Sequence, residues 1–153
     1  MQVYLDNSAT TRQYDEVTET MLVYMREDFG NPSSLYRPGI RAEKAVRGAR
    51  RELARAFSCQ EEEIFFTSGG TESDNTAIFG AAASGKRQGN RIITTNVEHP
   101  AVLEAMKRLE DEGFDIVRIS VSGDGGVSAE TIFDAVNEKT ILISVMQVNN
   151  ETG

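Results

Sequence analysis

The segment that decides the fold is RIITTNVEHPAVLEAMKRL, residues 91–109. Its first five residues, Arg91 to Thr95, include four β-branched neighbours in a row and predict a strand. Pro100 suits the first turn of a helix, whose apolar side chains then recur at helical spacing: Val102, Leu103, Met106 and Leu109. A strand followed directly by a helix indicates half of a β-α-β unit.

The same alternation extends outward in both directions. After the segment, strands are predicted at 116–121 and 140–146, with a helix capped by Ser128 between them. Before it come a β-rich run at 64–67 and a helix of small residues, and further upstream two helices at 15–27 and 38–57. Strands that alternate with single helices form right-handed crossovers. We therefore predict an α/β fold with three layers, a mainly parallel sheet flanked by helices. The last strand is apolar enough for burial on both faces.

Composition excludes several classes of function. The chain of 153 residues is long enough for one domain with a core, and its net charge of −8 disfavours nucleic acid or anionic lipid as partners. No apolar run approaches the ~20 residues of a membrane span, and the start of the chain lacks the features of a secretory signal. Its one cysteine, Cys59, cannot form an internal disulfide, which fits a cytoplasmic protein. We interpret Cys59 as an ordinary half-buried thiol.

Basic residues recur every three or four positions along the second helix: Arg37, Arg41, Lys44, Arg47, Arg51 and Arg55. At this spacing they form a stripe along the helix. The stripe is either a docking face for an acidic partner or a solvated helix face. The second interpretation is favoured because Glu43 can pair with Arg47.

Three polar clusters follow predicted strands directly, at residues 68–75, 96–99 and 149–153. In an open parallel sheet, ligands bind beyond the carboxyl ends of the strands. The clusters are therefore expected to meet at one edge of the sheet and to form a ligand site.

The first cluster has the chemistry of an anion site. Gly69 and Gly70 let the backbone approach a ligand closely, and Thr71 offers an amide and a hydroxyl near a helix start, where a phosphate is favoured. The cluster matches neither a Walker loop nor a Rossmann loop. A tight turn capped by Ser68 or Thr71, with Asp74 in a capping box, explains the same residues equally well.

His99 and Asn150 are the other candidates. His99 directly precedes Pro100, so it lies at a helix amino terminus, where the dipole disfavours the imidazolium form. Its neutral ring could stack on a ligand or exchange a proton, or it could simply cap the helix. Asn150 could donate to a ligand oxygen while Asn149 or Glu151 holds the turn, although asparagine pairs are also common in ordinary loops.

Taken together, five strings resemble the NifS/IscS group of cysteine desulfurases, enzymes of the aminotransferase class V fold that use pyridoxal 5'-phosphate (PLP). They occur in order along the chain and are YLDNSATT (4–11), FGNPSS (29–34), FTSGGTESDN (66–75), EH (98–99) and VNNETG (148–153). The resemblance covers the whole chain but only the amino-terminal part of a family member. It implies fold type I of PLP-dependent transferases.

The resemblance also implies roles. Gly70 and Thr71 would bind the PLP phosphate, His99 would stack on the pyridine ring and help proton transfer, and Asn150 would contact the cofactor near its phenolic oxygen. Residues 1–13 would pack with a small domain supplied later in the chain, and residues 14–153 would begin the PLP-binding large domain. Asn7, Thr10 and Asn31 would then lie near the substrate, L-cysteine, and no metal is implied.

In the family, L-cysteine becomes L-alanine and its sulfur leaves as an enzyme persulfide, for iron–sulfur cluster assembly or a related pathway. The implied partners are a sulfur-acceptor or scaffold protein and, at full length, a second copy in a homodimer. The PLP-binding lysine and the catalytic cysteine would lie beyond Gly153, so the segment alone is expected to be inactive. Two alternatives remain open: a non-catalytic adaptor or pseudoenzyme fragment, and another enzyme of the class V fold.

Overall fold

The computed structural model describes residues 3–123 and 125–153. The chain divides into two compact units, Met1–Phe66 and Thr67–Gly153. Each unit is described on its own below. The boundary predicted at residue 13 stays a prediction.

The first unit contains two helices, α1 (Asp15–Arg26) and α2 (Arg37–Phe57), followed by a single 3-10 turn at Glu61–Glu63. Both helices lie where their apolar spacing predicted them. The segment between them folds tightly onto the start of α2, where a Cβ on Gly39 would collide with the carbonyl oxygens of Asn31 and Ser34. Only glycine fits this contact.

The apolar side of α2 is less buried than its pattern indicated. Ala42 and Ala54 are buried, but Phe57 is 70% exposed, and α1 buries none of its residues. The basic stripe of α2 is largely paired with carboxylates, as the favoured interpretation expected. Its ion pairs are Arg41–Asp28, Arg47–Glu43, Arg51–Glu61 and Arg55–Glu52.

The second unit contains the sheet. Its elements are α3 (Gly70–Gly85), β1 (Arg91–Thr95), α4 (Pro100–Asp111), β2 (Asp115–Ile119), α5 (Ala129–Asp134) and β3 (Thr140–Ser144). The three strands are parallel in the order β2-β1-β3, with Ile93 of β1 opposite Val117 on one side and Ile143 on the other. The predicted α/β fold, a parallel sheet flanked by helices, is confirmed.

Strand β1 lies at the centre of the core. Ile92 and Ile93 point to opposite faces of the sheet and are both fully buried. Ile92 belongs to a cluster with Ala82 of α3 and Met106 of α4. Burial of a large aliphatic side chain contributes about 1.5–3 kcal/mol. The small residues of α3 allow close packing, since a Cβ on Gly85 would lie 2.9 Å from Cβ of Ile141 in β3.

Two strand predictions were wrong. Residues 64–67 form no strand, and Phe65 is 80% exposed, because a β-rich run needs a partner and none of the three strands described pairs with it. β3 is not buried on both faces: it lies at an edge of the sheet, and Ile143 is 43% exposed. The sequence Asp124-Gly125-Gly126 is typical of a turn. Asp124 lies outside the described residues, while Gly125 adopts a φ of 83°.

Within residues 3–123 and 125–153, every helix is too short or too polar to cross a lipid bilayer.

Candidate functional site

His99 lies between the other residues of the predicted site. It is the N-cap residue of α4, and its Nδ1 accepts a hydrogen bond from the amide of Ala101 at 3.1 Å. A ring that accepts at Nδ1 carries its proton on Nε2. The cap at this end of α4 therefore leaves the exposed Nε2–H available to a ligand.

The ring of His99 borders two surface clefts. The first, of about 510 Å³, also contains Thr71 and Asn75 and is here called the helix cleft. The second, of about 390 Å³, also contains Asn150 and is here called the loop cleft. The structure therefore brings Thr71 and Asn150 to the two sides of His99, while Gly70 lies next to Thr71 in the first turn of α3.

The start of α3 offers unused hydrogen-bond donors. Among the described residues, the amides of Gly70, Thr71 and Glu72 have no acceptor, as expected for the first turn of a helix. A Cβ added at Gly69 or Gly70 would have no neighbouring atom within 4 Å outside the adjacent backbone. Open backbone and free amides at the positive end of a helix dipole suit a phosphate group.

Glu72 fixes Ser68, which lies just before this helix start. Its Oε2 accepts hydrogen bonds from the amide of Ser68 at 2.6 Å and from the Ser68 hydroxyl at 2.7 Å. The Ser68 amide, followed by the Ser68 hydroxyl, lowers the pKa of the Glu72 carboxyl below its ordinary value. The N-cap residue of α3 is Gly69, which has no side-chain cap, so the predicted cap by Ser68 or Thr71 and the capping box with Asp74 do not form. The partner of Ser68 is Glu72 instead.

The helix cleft is tied together by Asn75. Its Nδ2 donates to the carbonyl oxygen of Thr71 at 2.8 Å and to that of Ala101 at 3.3 Å. One side chain thus joins the first turns of α3 and α4. Sequence reasoning missed this role, because Asn75 and Ala101 are 26 positions apart.

The loop after β3 is shaped by Asn149, not by Asn150. Asn149 Oδ1 accepts from the amides of Glu151 at 2.8 Å and Thr152 at 2.9 Å, and its Nδ2 donates to the carbonyl oxygen of Val97 at 3.0 Å. The exposed side chain of Asn150 has no hydrogen bond to another described residue. Asn149 thus holds the turn, as predicted, while the ligand contact of Asn150 stays a prediction.

Glu98 is a second residue whose contacts the sequence did not indicate. Its carboxylate is buried and accepts from the Met146 amide, at 3.0 Å to Oε1 and 3.1 Å to Oε2. The Thr95 hydroxyl donates to Oε1 at 2.7 Å. Glu98 therefore joins the loop after β1 to the loop after β3.

The residues predicted to lie near the substrate belong to the first unit, where their contacts are local. The carbonyl oxygen of Asn7 accepts from Thr11, the Thr10 hydroxyl bonds to the Tyr4 hydroxyl at 2.6 Å, and Asn31 Oδ1 accepts from the Ser33 amide at 2.9 Å. Their roles stay predictions. In the described part of the chain, no group of three His, Cys, Asp or Glu side chains is placed to hold a metal ion.

Comparison with known proteins agrees with the motif resemblance. The family model "Aminotransferase class-V" matches residues 3–153. Cysteine desulfurase IscS of Clostridium botulinum is 50% identical over 152 residues, which are 99% of this chain and 38% of that protein.

Two solved structures have the same fold. A protein described as NifS-like superposes with a TM-score of 0.93 at 43% identity, over 100% of this chain and 42% of its own. SspA, solved in complex with cysteine, superposes with a TM-score of 0.88 at 34% identity, over 97% and 43%. The chain thus spans about two fifths of the length of these relatives.

Proposed function

Since the chain belongs to the aminotransferase class-V family, we propose that it forms the amino-terminal part of the PLP-binding domain of a cysteine desulfurase. The observation that carries this proposal is the position of His99, which borders one cleft with Thr71 and another with Asn150. Three of the four predicted cofactor contacts thus line neighbouring clefts. The name of the IscS relative and the cysteine bound to SspA support the choice of reaction and substrate.

The first turn of α3 would bind the cofactor phosphate. The free amides of Gly70 and Thr71 and the Thr71 hydroxyl can each donate to a phosphate oxygen, and the glycine backbone leaves room for it. Main-chain donors of this kind are fixed by the helix itself. Binding therefore orders few additional groups, which favours affinity.

His99 and Asn150 would act on the ring of the cofactor. PLP, when bound, supplies an electron sink for bond breaking at the substrate. The imidazole of His99 would stack on the ring and exchange a proton at Nε2, because Nδ1 is held by the Ala101 amide. The carboxamide of Asn150 would donate to the phenolic oxygen.

The complete reaction would take L-cysteine to L-alanine and transfer the sulfur to an enzyme thiol, which becomes a persulfide. Asn7, Thr10 and Asn31 would lie near the substrate, and a sulfur-acceptor or scaffold protein would receive the sulfur in iron–sulfur cluster assembly or a related pathway. The full-length protein would be a cytoplasmic homodimer. The 153-residue segment on its own would be inactive, since it would lack the covalent lysine and the sulfur-accepting cysteine.

A chimeric enzyme tests this proposal. Residues 1–153 replace the matched amino-terminal 38% of the Clostridium botulinum IscS relative, and the parent enzyme serves as the positive control. We expect the chimera to bind PLP and to release alanine and persulfide sulfur from L-cysteine. The isolated chain should release neither product.

Two results would count against the proposal. A folded chimera that binds no PLP would favour the adaptor alternative. A chimera that binds PLP and acts on other amino acids but not on L-cysteine would favour another class V enzyme.

A further inference from the structure

We propose that Glu98 is a positioning residue, which fixes the distance across the loop cleft between His99 and Asn150. The inference rests on the proposed function, since it assigns these two residues to one ligand. It adds a residue that touches neither the phosphate nor the ring of the cofactor but sets the geometry of those that do.

The hydrogen bonds of Glu98 to Thr95 and Met146, here called the latch, connect the loop after β1 to the loop after β3. Only 5% of the residue is exposed, and its carboxylate accepts from the Met146 amide at 3.0 and 3.1 Å and from the Thr95 hydroxyl at 2.7 Å. In the described chain, no lysine or arginine forms an ion pair with Glu98. A buried carboxylate is costly unless hydrogen bonds satisfy it. These contacts therefore resist opening.

A second link reinforces the latch. Asn149 Nδ2 donates to the carbonyl oxygen of Val97 at 3.0 Å, so residues 97 and 98 of one loop bind residues 149 and 146 of the other. His99 follows Glu98 directly in the chain, and Asn150 follows Asn149 directly. His99 and Asn150 are thus each one peptide bond from an anchored residue.

The consequence is a cleft whose width is set before a ligand arrives. If the latch is removed, the loop after β3 is free to move relative to His99, and Asn150 must be ordered when the ligand binds. That ordering lowers affinity. The phosphate contacts at Gly70 and Thr71 lie on α3 and do not depend on the latch.

The test uses the 153-residue chain, labelled with ¹⁵N, and pyridoxine 5'-phosphate as the probe. This compound has the ring and phosphate of the cofactor but no aldehyde, so it cannot react with lysine. Resonances of the Gly70 and Thr71 amides report phosphate binding, and the Asn150 side-chain amide reports the ring contact. Inorganic phosphate, titrated separately, reports the phosphate site alone.

In Glu98→Ala we expect the Asn150 response to disappear and the dissociation constant for pyridoxine 5'-phosphate to rise about fivefold, the factor for one lost hydrogen bond. The response to inorganic phosphate should not change. Glu98→Gln keeps one acceptor oxygen for Met146 and should restore most of the Asn150 response. Glu138→Gln makes the same chemical change at an exposed site before β3 and should match the wild type.

The outcomes separate the two hypotheses. Absence of any wild-type response to pyridoxine 5'-phosphate would overturn the proposed function and this inference with it. A wild-type response that Glu98→Ala leaves intact would overturn this inference alone. If Glu98→Ala does not fold, Asn149→Asp replaces it: this variant keeps the acceptor oxygen of the turn but loses the donor to Val97. An unchanged Asn150 response there would equally refute the latch.

Discussion

The side-chain amide of Asn75 in α3 lies 3.3 Å from the carbonyl oxygen of Ala101 in α4. The same nitrogen lies 2.8 Å from the carbonyl oxygen of Thr71. Both acceptors are in first turns, so a single donor group sets how closely the amino ends of the two helices approach. Those ends carry the proposed phosphate site and His99.

We expect Asn75→Asp to weaken this junction. A carboxylate would face two carbonyl oxygens with no proton to donate, so the free energy of unfolding should fall by about 1–3 kcal/mol. Urea unfolding followed by circular dichroism measures the change. Asn90→Asp is the matched control: the side chain of Asn90 makes one exposed hydrogen bond, to the carbonyl oxygen of Gly113 at 3.4 Å, and the effect of its substitution should stay below about 0.5 kcal/mol. Equal effects of the two variants would argue against the junction.

The Glu72 carboxyl should titrate below its ordinary pKa of 4.5, because the Ser68 amide and then the Ser68 hydroxyl donate to its charged form. A depressed pKa in the folded chain means that its stabilising contribution is full above the ordinary value. The contribution is lost as the pH falls through the lowered pKa. Carbon-13 titration of Glu72, with the Ser68 amide proton as a second probe, measures this.

Two variants identify the cause of that shift. Ser68→Ala removes the hydroxyl but keeps the amide, so the pKa of Glu72 should return only partway toward 4.5. Glu72→Gln should abolish the acid-dependent movement of the Ser68 amide resonance. A wild-type Glu72 that titrates at its ordinary value would contradict the hydrogen-bonded arrangement.

The substitution His99→Asn should separate the capping role of His99 from its proposed ligand role. Asparagine is among the best N-cap residues, so His99→Asn should keep the stability of α4, whereas His99→Ala should lose about 1 kcal/mol. Both variants lack the ring. In the chimeric enzyme both should therefore lower turnover of L-cysteine, by at least about 100-fold if His99 moves a proton.

Urea unfolding measures the first effect and alanine release the second. A His99→Asn chimera as active as its parent would leave His99 with a capping role only.

The four lysines of the chain, Lys44, Lys86, Lys107 and Lys139, should not capture PLP specifically. None lines either cleft beside His99, and the Lys86 ammonium lies 5.8 Å from the centre of the Phe114 ring. Borohydride reduction followed by peptide mass analysis should show equal labelling by PLP and by pyridoxal, which lacks the phosphate. Strong preference of one lysine for PLP would mean that this segment contains the covalent site.

Local signals predicted the helices well. The N-caps of α4 and α5 depend on residues within three positions, His99 with Ala101 and Ser128 with Thr131, so the sequence displays them directly. The run at 64–67 was misread because strand formation depends on a partner elsewhere in the chain. The exposure of β3 has the same origin, since the order of strands cannot be read from the apolar pattern of one of them.

The candidate site divides in the same way. Of the residues proposed to face the ligand, Asn150 follows a strand and Thr71 begins a helix, although the strand predicted before Thr71 does not form. Its supporting residues did not stand out, because their partners are distant: the Glu98 carboxylate meets the amide of a residue 48 positions away. Contacts of that range become visible only once the sheet order is known.

The central position of β1 has a consequence for dynamics. Its residues Ile92 to Thr95 are fully buried, and Ile92 to Thr94 pair with a strand on each side, so this strand should exchange its amide protons more slowly than its neighbours. His99 begins its helix four residues beyond that strand. We therefore expect the group proposed to handle protons to keep its position when the edges of the sheet open thermally.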